Sequence, residues 1–194
     1  MFYKPADGHG LRHNPFNAIV TPRPIGWIGT RGPSGDNLAP YSFFNAVAYV
    51  PPQVVFASTG IKDSITAVQE SGVFSVSIVG EEMLAQMSAT SASLPRGVDE
   101  FAHAGVEKGE CLTIDCPHVA GAPAVLECRL VRVVDLLGDG NRLAVGEVTG
   151  IHLRDDCLRD GRFDVTVFRP VARMGYRDYT VVREVIEVLR PGEK

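Results

Sequence analysis

The chain has 194 residues and a mass of 20.9 kDa, enough for one substantial hydrophobic core and within the size range of a single domain spanning 1–194. Hydrophobic residues make up 45% and charged residues 22% without any low-complexity run, which excludes a disordered or fibrous chain. A net charge of -4 with a pI near 5.7 speaks against the basic surface that nucleic acid requires, so no nucleic-acid partner is expected. The opening residues 1–7 (MFYKPAD) contain no apolar signal-like stretch, and four cysteines without a secretory start fit a reducing, cytoplasmic setting. No apolar run approaches the roughly 20 residues that span a bilayer, so no membrane partner is expected. Cys111, Cys116 and His118 are spaced poorly for a tetrahedral zinc site, and no metal is expected.

In chain order, short runs rich in β-branched and aromatic residues predict strands over 17–22, 25–30, 41–49 and 53–58. A short helix follows over 64–72, with Asp63 or Ser64 as its N-cap and Gly72 as its stop. After a strand over 73–79 comes a second helix over 81–89, whose Met83, Leu84 and Met87 form one face and read as core packing. Residues 89–122 lose periodicity and read as an excursion from the sheet. Two long alternating runs, 124–137 and 141–153, flank Gly138, Asp139 and Gly140 and predict an antiparallel hairpin; a last strand is expected over 168–172. So many short strands usually escape exposed edges by closing, which favours a mainly β barrel with few helices.

Two stretches invite a chemical reading. Ser58, Thr59, Gly60, Ile61, Lys62, Asp63 and Ser64 place a strand end, a pliable glycine, a cation and a hydroxyl at the start of a helix, where backbone N–H groups receive anions. Asp63 is discordant, because its carboxylate would repel a phosphate unless it turns away to cap the helix or orient Lys62. The same residues also suit an ordinary turn and cap with a solvated lysine, and spacing alone does not separate the two. The second stretch, 37–45 (NLAPYSFFN), mixes small polar groups with aromatics, as the wall of a flat, apolar ring with hydrogen-bonding edges would. Tyr41, Phe43 and Phe44 serve equally as core, and Asn37 and Asn45 as turn formers.

Residues 21–30 (TPRPIGWIGT), 37–45, Pro51 and Pro52, Lys62 to Ser64, and 146–152 (GEVTGIH) together resemble the flavin-reductase-like, FMN-binding split-barrel family of flavoprotein oxidoreductases, in family order across about 14–179. The resemblance implies a Greek-key split β-barrel that forms a homodimer with FMN near the subunit interface. It implies that Trp27 and Thr30 lie along the flavin ring and ribityl chain, that Pro40, Tyr41, Ser42 and Asn45 line the isoalloxazine with Asn37 beside them, and that Ser58, Lys62, Asp63 and Ser64 hold the phosphate. Arg173 and Tyr179, in the closing segment 169–179, would approach the flavin; the family often has glycine where this chain has Tyr176.

The function so implied is an NADH- or NADPH-dependent flavin reductase that passes hydride to N5 of FMN, with FAD as an alternative flavin and a flavin-dependent oxygenase as a possible acceptor. Flavin chemistry requires no protein acid or base, so no catalytic residue is assigned and His103, His118 and His152 receive no role. Glu127 and Glu147 read as a solvated strand face. Motifs for a dinucleotide loop, a nucleophilic serine elbow and a P-loop are all missing from the sequence. The competing classes are a non-catalytic flavin or haem carrier and a dimerisation module with an empty site.

Overall fold

Residues 1–192 are described by the computed structural model. The first half of the chain forms α1 (Phe16–Ile19), β1 (Arg23–Pro24), β2 (Gly26–Gly32), β3 (Gly35–Tyr41), β4 (Phe44–Tyr49), β5 (Pro52–Ser58), α2 (Asp63–Ser71), β6 (Val73–Ile78) and α3 (Leu84–Ala89). The second half adds α4 (Glu100–His103), β7 (Lys108–Glu110), β8 (Pro117–Val119), β9 (Ala124–Asp135) and β10 (Arg142–Leu153). It closes with β11 (Leu158–Arg159), β12 (Arg162–Phe163), α5 (Val165–Phe168), β13 (Val171–Gly175) and β14 (Asp178–Val181).

Seven strands make one antiparallel sheet in the order β3, β2, β6, β9, β10, β5, β4. The expected β9–β10 hairpin is its spine, with Arg142 opposite Asp135 and Leu153 opposite Ala124, and two bulges near Gly146 and Gly150 bend it. The sheet curls around one cluster to which all seven strands contribute: Ile28, Tyr41, Phe44, Val54, Phe56, Phe74, Val76, Cys128 and Ala144, plugged by Ile65 and Val68 of α2. A Cβ on Gly146 would stand 2.4 Å from the Phe74 ring. Gly146→Ala therefore forces that ring off its seat and should cost about 1–3 kcal/mol, read as a lower urea midpoint at unchanged slope.

A second core, with Ile25, Trp27, Leu38, Met87, Phe101, Val119 and Val171, lies where α3, α4, β8 and β13 cover the outer face of β2 and β3. Met87 is buried there with Met83 and Leu84 packed against it, as the helical spacing predicts. The 89–122 excursion holds α4 and the small β7–β8 hairpin.

Four local expectations are corrected. Residues 17–22 are not a strand: Pro15 and the Asn14 side chain, which accepts the Phe16 N–H at 3.0 Å, start α1 instead. The strand expected over 41–49 breaks at Ser42 and Phe43, so that β3 and β4 become the two ends of the sheet. The start of the strand expected over 168–172 is displaced, because Phe168 ends α5 and Arg169 turns through a left-handed φ of 51° before β13 begins. Glu127 does not face solvent. It is completely buried, because the loop between β7 and β8 folds over it.

Candidate functional site

Two strand ends make the site. β3 ends at Tyr41, where the chain turns through Ser42 and Phe43, and β5 ends at Ser58, where Gly60 at φ 78° lets the chain swing into α2. Between the two lies a cavity of about 550 Å³. Asn37, Pro40, Tyr41, Ser42, Lys62, Asp63 and Ser64 all line it, so both stretches singled out in the sequence meet there. A smaller recess of about 120 Å³ shares Pro40, Ser42 and Ser91 with it and contains Arg173 and Tyr179.

The remaining predicted residues stand elsewhere. Trp27, Thr30 and Ser58 are buried behind the walls, and Asn45 is exposed on β4, where its side chain accepts the Ala46 N–H at 2.9 Å. Ser58 donates its hydroxyl to the Gly60 carbonyl at 2.9 Å and so shapes the turn. Trp27 acts at one remove: its indole N–H donates to Thr90 Oγ1 at 2.9 Å, tethering the 90–94 segment that forms another wall. Trp27→Phe should cost about 1 kcal/mol and speed amide exchange in that segment; unchanged exchange would remove the tether from the account.

At the start of α2, Lys62 is the N-cap and Asp63 the first helical residue, which corrects the expected cap; no side chain caps this end. The first-turn N–H groups are therefore open to a ligand. The Lys62 ammonium has no ion pair among the described residues. The Asp63 carboxylate turns to Arg96, 3.8 Å away. Ser64 donates to Asn37 Oδ1 at 2.7 Å, and Asn37 donates to Glu100 Oε2 at 2.9 Å, which also accepts the Leu38 N–H at 3.0 Å. Burial pushes the Glu100 carboxyl up, against these hydrogen bonds. Burial likewise raises the Tyr41 phenol, against the opposing effect of the Ser64 and Ser58 hydroxyls.

Glu100 and the 90–94 wall were not singled out by sequence reading. The serine-rich composition around Ser91 and Ser93 was visible, but Glu100 gives no local signal, because its partners are far away in the chain.

Comparison with known proteins identifies the family. A family model described as the flavin reductase like domain matches residues 19–170. The chain is 39% identical over 193 residues to an uncharacterized protein of Deinococcus radiodurans, covering 92% of this chain and 84% of that one. Nitrilotriacetate monooxygenase component B from Bacillus cereus superposes with a TM-score of 0.86 at 27% identity, over 93% of this chain and 100% of that one. The 2-nitrobenzoate 2-nitroreductase NbaA of Pseudomonas fluorescens follows with a TM-score of 0.83 at 27% identity, over 91% and 88% of the two chains. The chain belongs to the flavin-reductase-like, FMN-binding split-barrel family.

Proposed function

We propose that the chain binds FMN in the larger cavity and acts as an NADH- or NADPH-dependent flavin oxidoreductase. The observation that carries this reading is the meeting, in one cavity, of the uncapped α2 N-terminus and Lys62 with the Pro40 to Ser42 wall. The residues present suit the cofactor. Lys62 and the Asp63 and Ser64 N–H groups would hold the phosphate, and Tyr41 lines the same cavity.

When bound, FMN supplies the centre that accepts a hydride and passes electrons on. The protein's part is binding and orientation. Lys62 neutralises phosphate charge, Glu100 fixes Asn37, and Asn37 fixes the Ser64 hydroxyl. The 90–94 wall limits water on its side of the cavity. FAD would need room for a second nucleotide beyond this cavity, so FMN is the preferred flavin.

A homodimer suits the same reading. Val47, Tyr49 and Val50 stand 55%, 95% and 93% exposed at the end strand β4, next to Asn45, and a second copy covering them would bring Asn45 toward a shared site. The similarity to a monooxygenase component supports a flavin-dependent oxygenase as acceptor.

The test is a visible spectrum of purified protein incubated with FMN, followed by anaerobic addition of NADH or NADPH. A yellow protein bleached by either donor is expected. A Soret band, or yellow protein that neither donor bleaches, would move the assignment to a carrier.

A further inference from the structure

Arg23 and Arg173 stand directly opposite one another in the antiparallel β1–β13 pair. Like charges so placed destabilise a ladder, and carboxylates usually relieve them. None does so here. Arg23, only 7% exposed, donates Nη1 to the carbonyls of Asn17, Val20 and Met174, and its Nε has no hydrogen-bond partner among the described residues. Arg173 donates to the Tyr179 hydroxyl and the Tyr176 carbonyl, with its guanidinium 4.5 Å from the centre of the Tyr179 ring. Arg31, Arg154, Arg169 and Arg183, by contrast, each meet a carboxylate. Burial, and then the charge of Arg173, lowers the Arg23 pKa, which is the electrostatic signature of an unneutralised pair.

This charge borders a cavity. Arg173 and Tyr179 line the recess of about 120 Å³, with Ile25 and Met87 as apolar walls. The Arg23 guanidinium lies 5.7 Å from the centre of the Phe43 ring, and Phe43 lines the larger cavity. The turn that presents these groups is strained: Tyr176 holds a left-handed φ of 50°, and its carbonyl is the one that Arg173 grips. Such strain persists only where the surroundings enforce it. The recess is smaller than the roughly 150 Å³ that accommodates a benzene. It takes an anionic head group and a few carbons, with anything larger extending past Pro40 and Ser42 into the main cavity.

We propose that the recess is an anion subsite, in which Arg173, backed by the charge of Arg23 and joined by the Tyr179 phenol, holds a carboxylate or phosphate of the second substrate beside the flavin. A guanidinium forks either group with two parallel hydrogen bonds. The placement beside a flavin rests on the larger cavity being the flavin site; the anion binding does not.

The test is calorimetric titration of wild type, Arg173→Gln and Arg173→Lys with benzoate and with uncharged benzamide, each with and without FMN. Wild type should bind benzoate at least tenfold more tightly than benzamide. Arg173→Gln should lose about tenfold in benzoate affinity, more than it loses for FMN, and Arg173→Lys should retain part of it. Steady-state kinetics then identify the source of the anion. If KM for NADH or NADPH also rises threefold or more in Arg173→Gln, the subsite takes the nucleotide phosphate; if it moves less than threefold, the subsite takes an organic acid. Either supports the proposal. Benzoate bound no better than benzamide, or equally by Arg173→Gln, overturns it. If Arg173→Gln does not fold, salt decides: benzoate affinity that does not weaken as ionic strength rises is the overturning result. Failure of FMN to bind while the benzoate preference for Arg173 persists overturns the flavin reading alone.

Discussion

Glu127→Ala should lower the unfolding free energy by about 3–5 kcal/mol at neutral pH, the cost expected when one partner of a buried charged network is removed. The carboxylate is 0% exposed. It accepts the backbone N–H of Leu112 at 2.7 Å and of Thr113 at 2.6 Å, the Thr113 hydroxyl at 2.5 Å and His152 Nε2 at 2.5 Å. Alanine would strand two backbone donors and release the loop between β7 and β8 from the barrel wall. Burial alone would raise the Glu127 pKa, but the bonds from Thr113, His152 and Leu112 prevail and hold it at about 2. Because the folded value lies below the unfolded one of about 4.3, the carboxylate stabilises the fold above pH 4 to 5, and this contribution fades as pH falls toward 2. Urea unfolding of wild type and Glu127→Ala should therefore diverge most at pH 7 and converge in acid. A loss below 1 kcal/mol at pH 7 would show that the network is slack, and a gap that ignores pH would assign the effect to packing rather than charge.

How far the sequence reveals this fold depends on how local each signal is. The β9–β10 hairpin was legible because both runs and their turn are contiguous, and the bulges that bend it did not disturb the pairing. The helix at 64–72 was legible to within a residue because Gly72 stops it in a left-handed conformation. Residues 17–22 misled because Ile19 and Val20 suggest a strand by propensity, although α1 leaves both more than half exposed. Glu127 misled more seriously. Alternation predicts which face a side chain takes, but it carries no information about a loop more than ten residues away in sequence that covers that face.

The same distinction divides the site. Lys62 to Ser64 could be read as an anion anchor from adjacent residues, and these do line the cavity. The role of 37–45 rested on resemblance, and the structure brings Asn37 and Pro40 to Ser42 to that cavity but leaves Asn45 outside it. Glu100, the group that orders Asn37, lies on a helix separated from it by 63 positions, and nothing in its neighbourhood distinguishes it from an ordinary helix-start glutamate. Arg23 and Arg173 are 150 positions apart, and only strand pairing shows that they face each other.

Lys62→Ala should weaken FMN binding by about 1.5–3 kcal/mol, or roughly ten- to a hundredfold, the value of a charge-assisted hydrogen bond to an ionised group. Lys62 has no competing ion pair among the described residues, so its charge is available to a ligand, while Asp63 stands 3.8 Å from Arg96. Stability should change little, because Lys62 is exposed and no side chain caps α2. Titration by quenching of flavin fluorescence measures the loss, and riboflavin, which lacks the phosphate, supplies the control. Wild type and Lys62→Ala should bind riboflavin equally, and Lys62→Arg should recover part of the FMN affinity. If the substitution weakens riboflavin as much as FMN, Lys62 shapes the cavity and does not anchor a phosphate. If FMN affinity is unchanged, the α2 terminus is a plain helix start and the flavin must be sought elsewhere on the barrel.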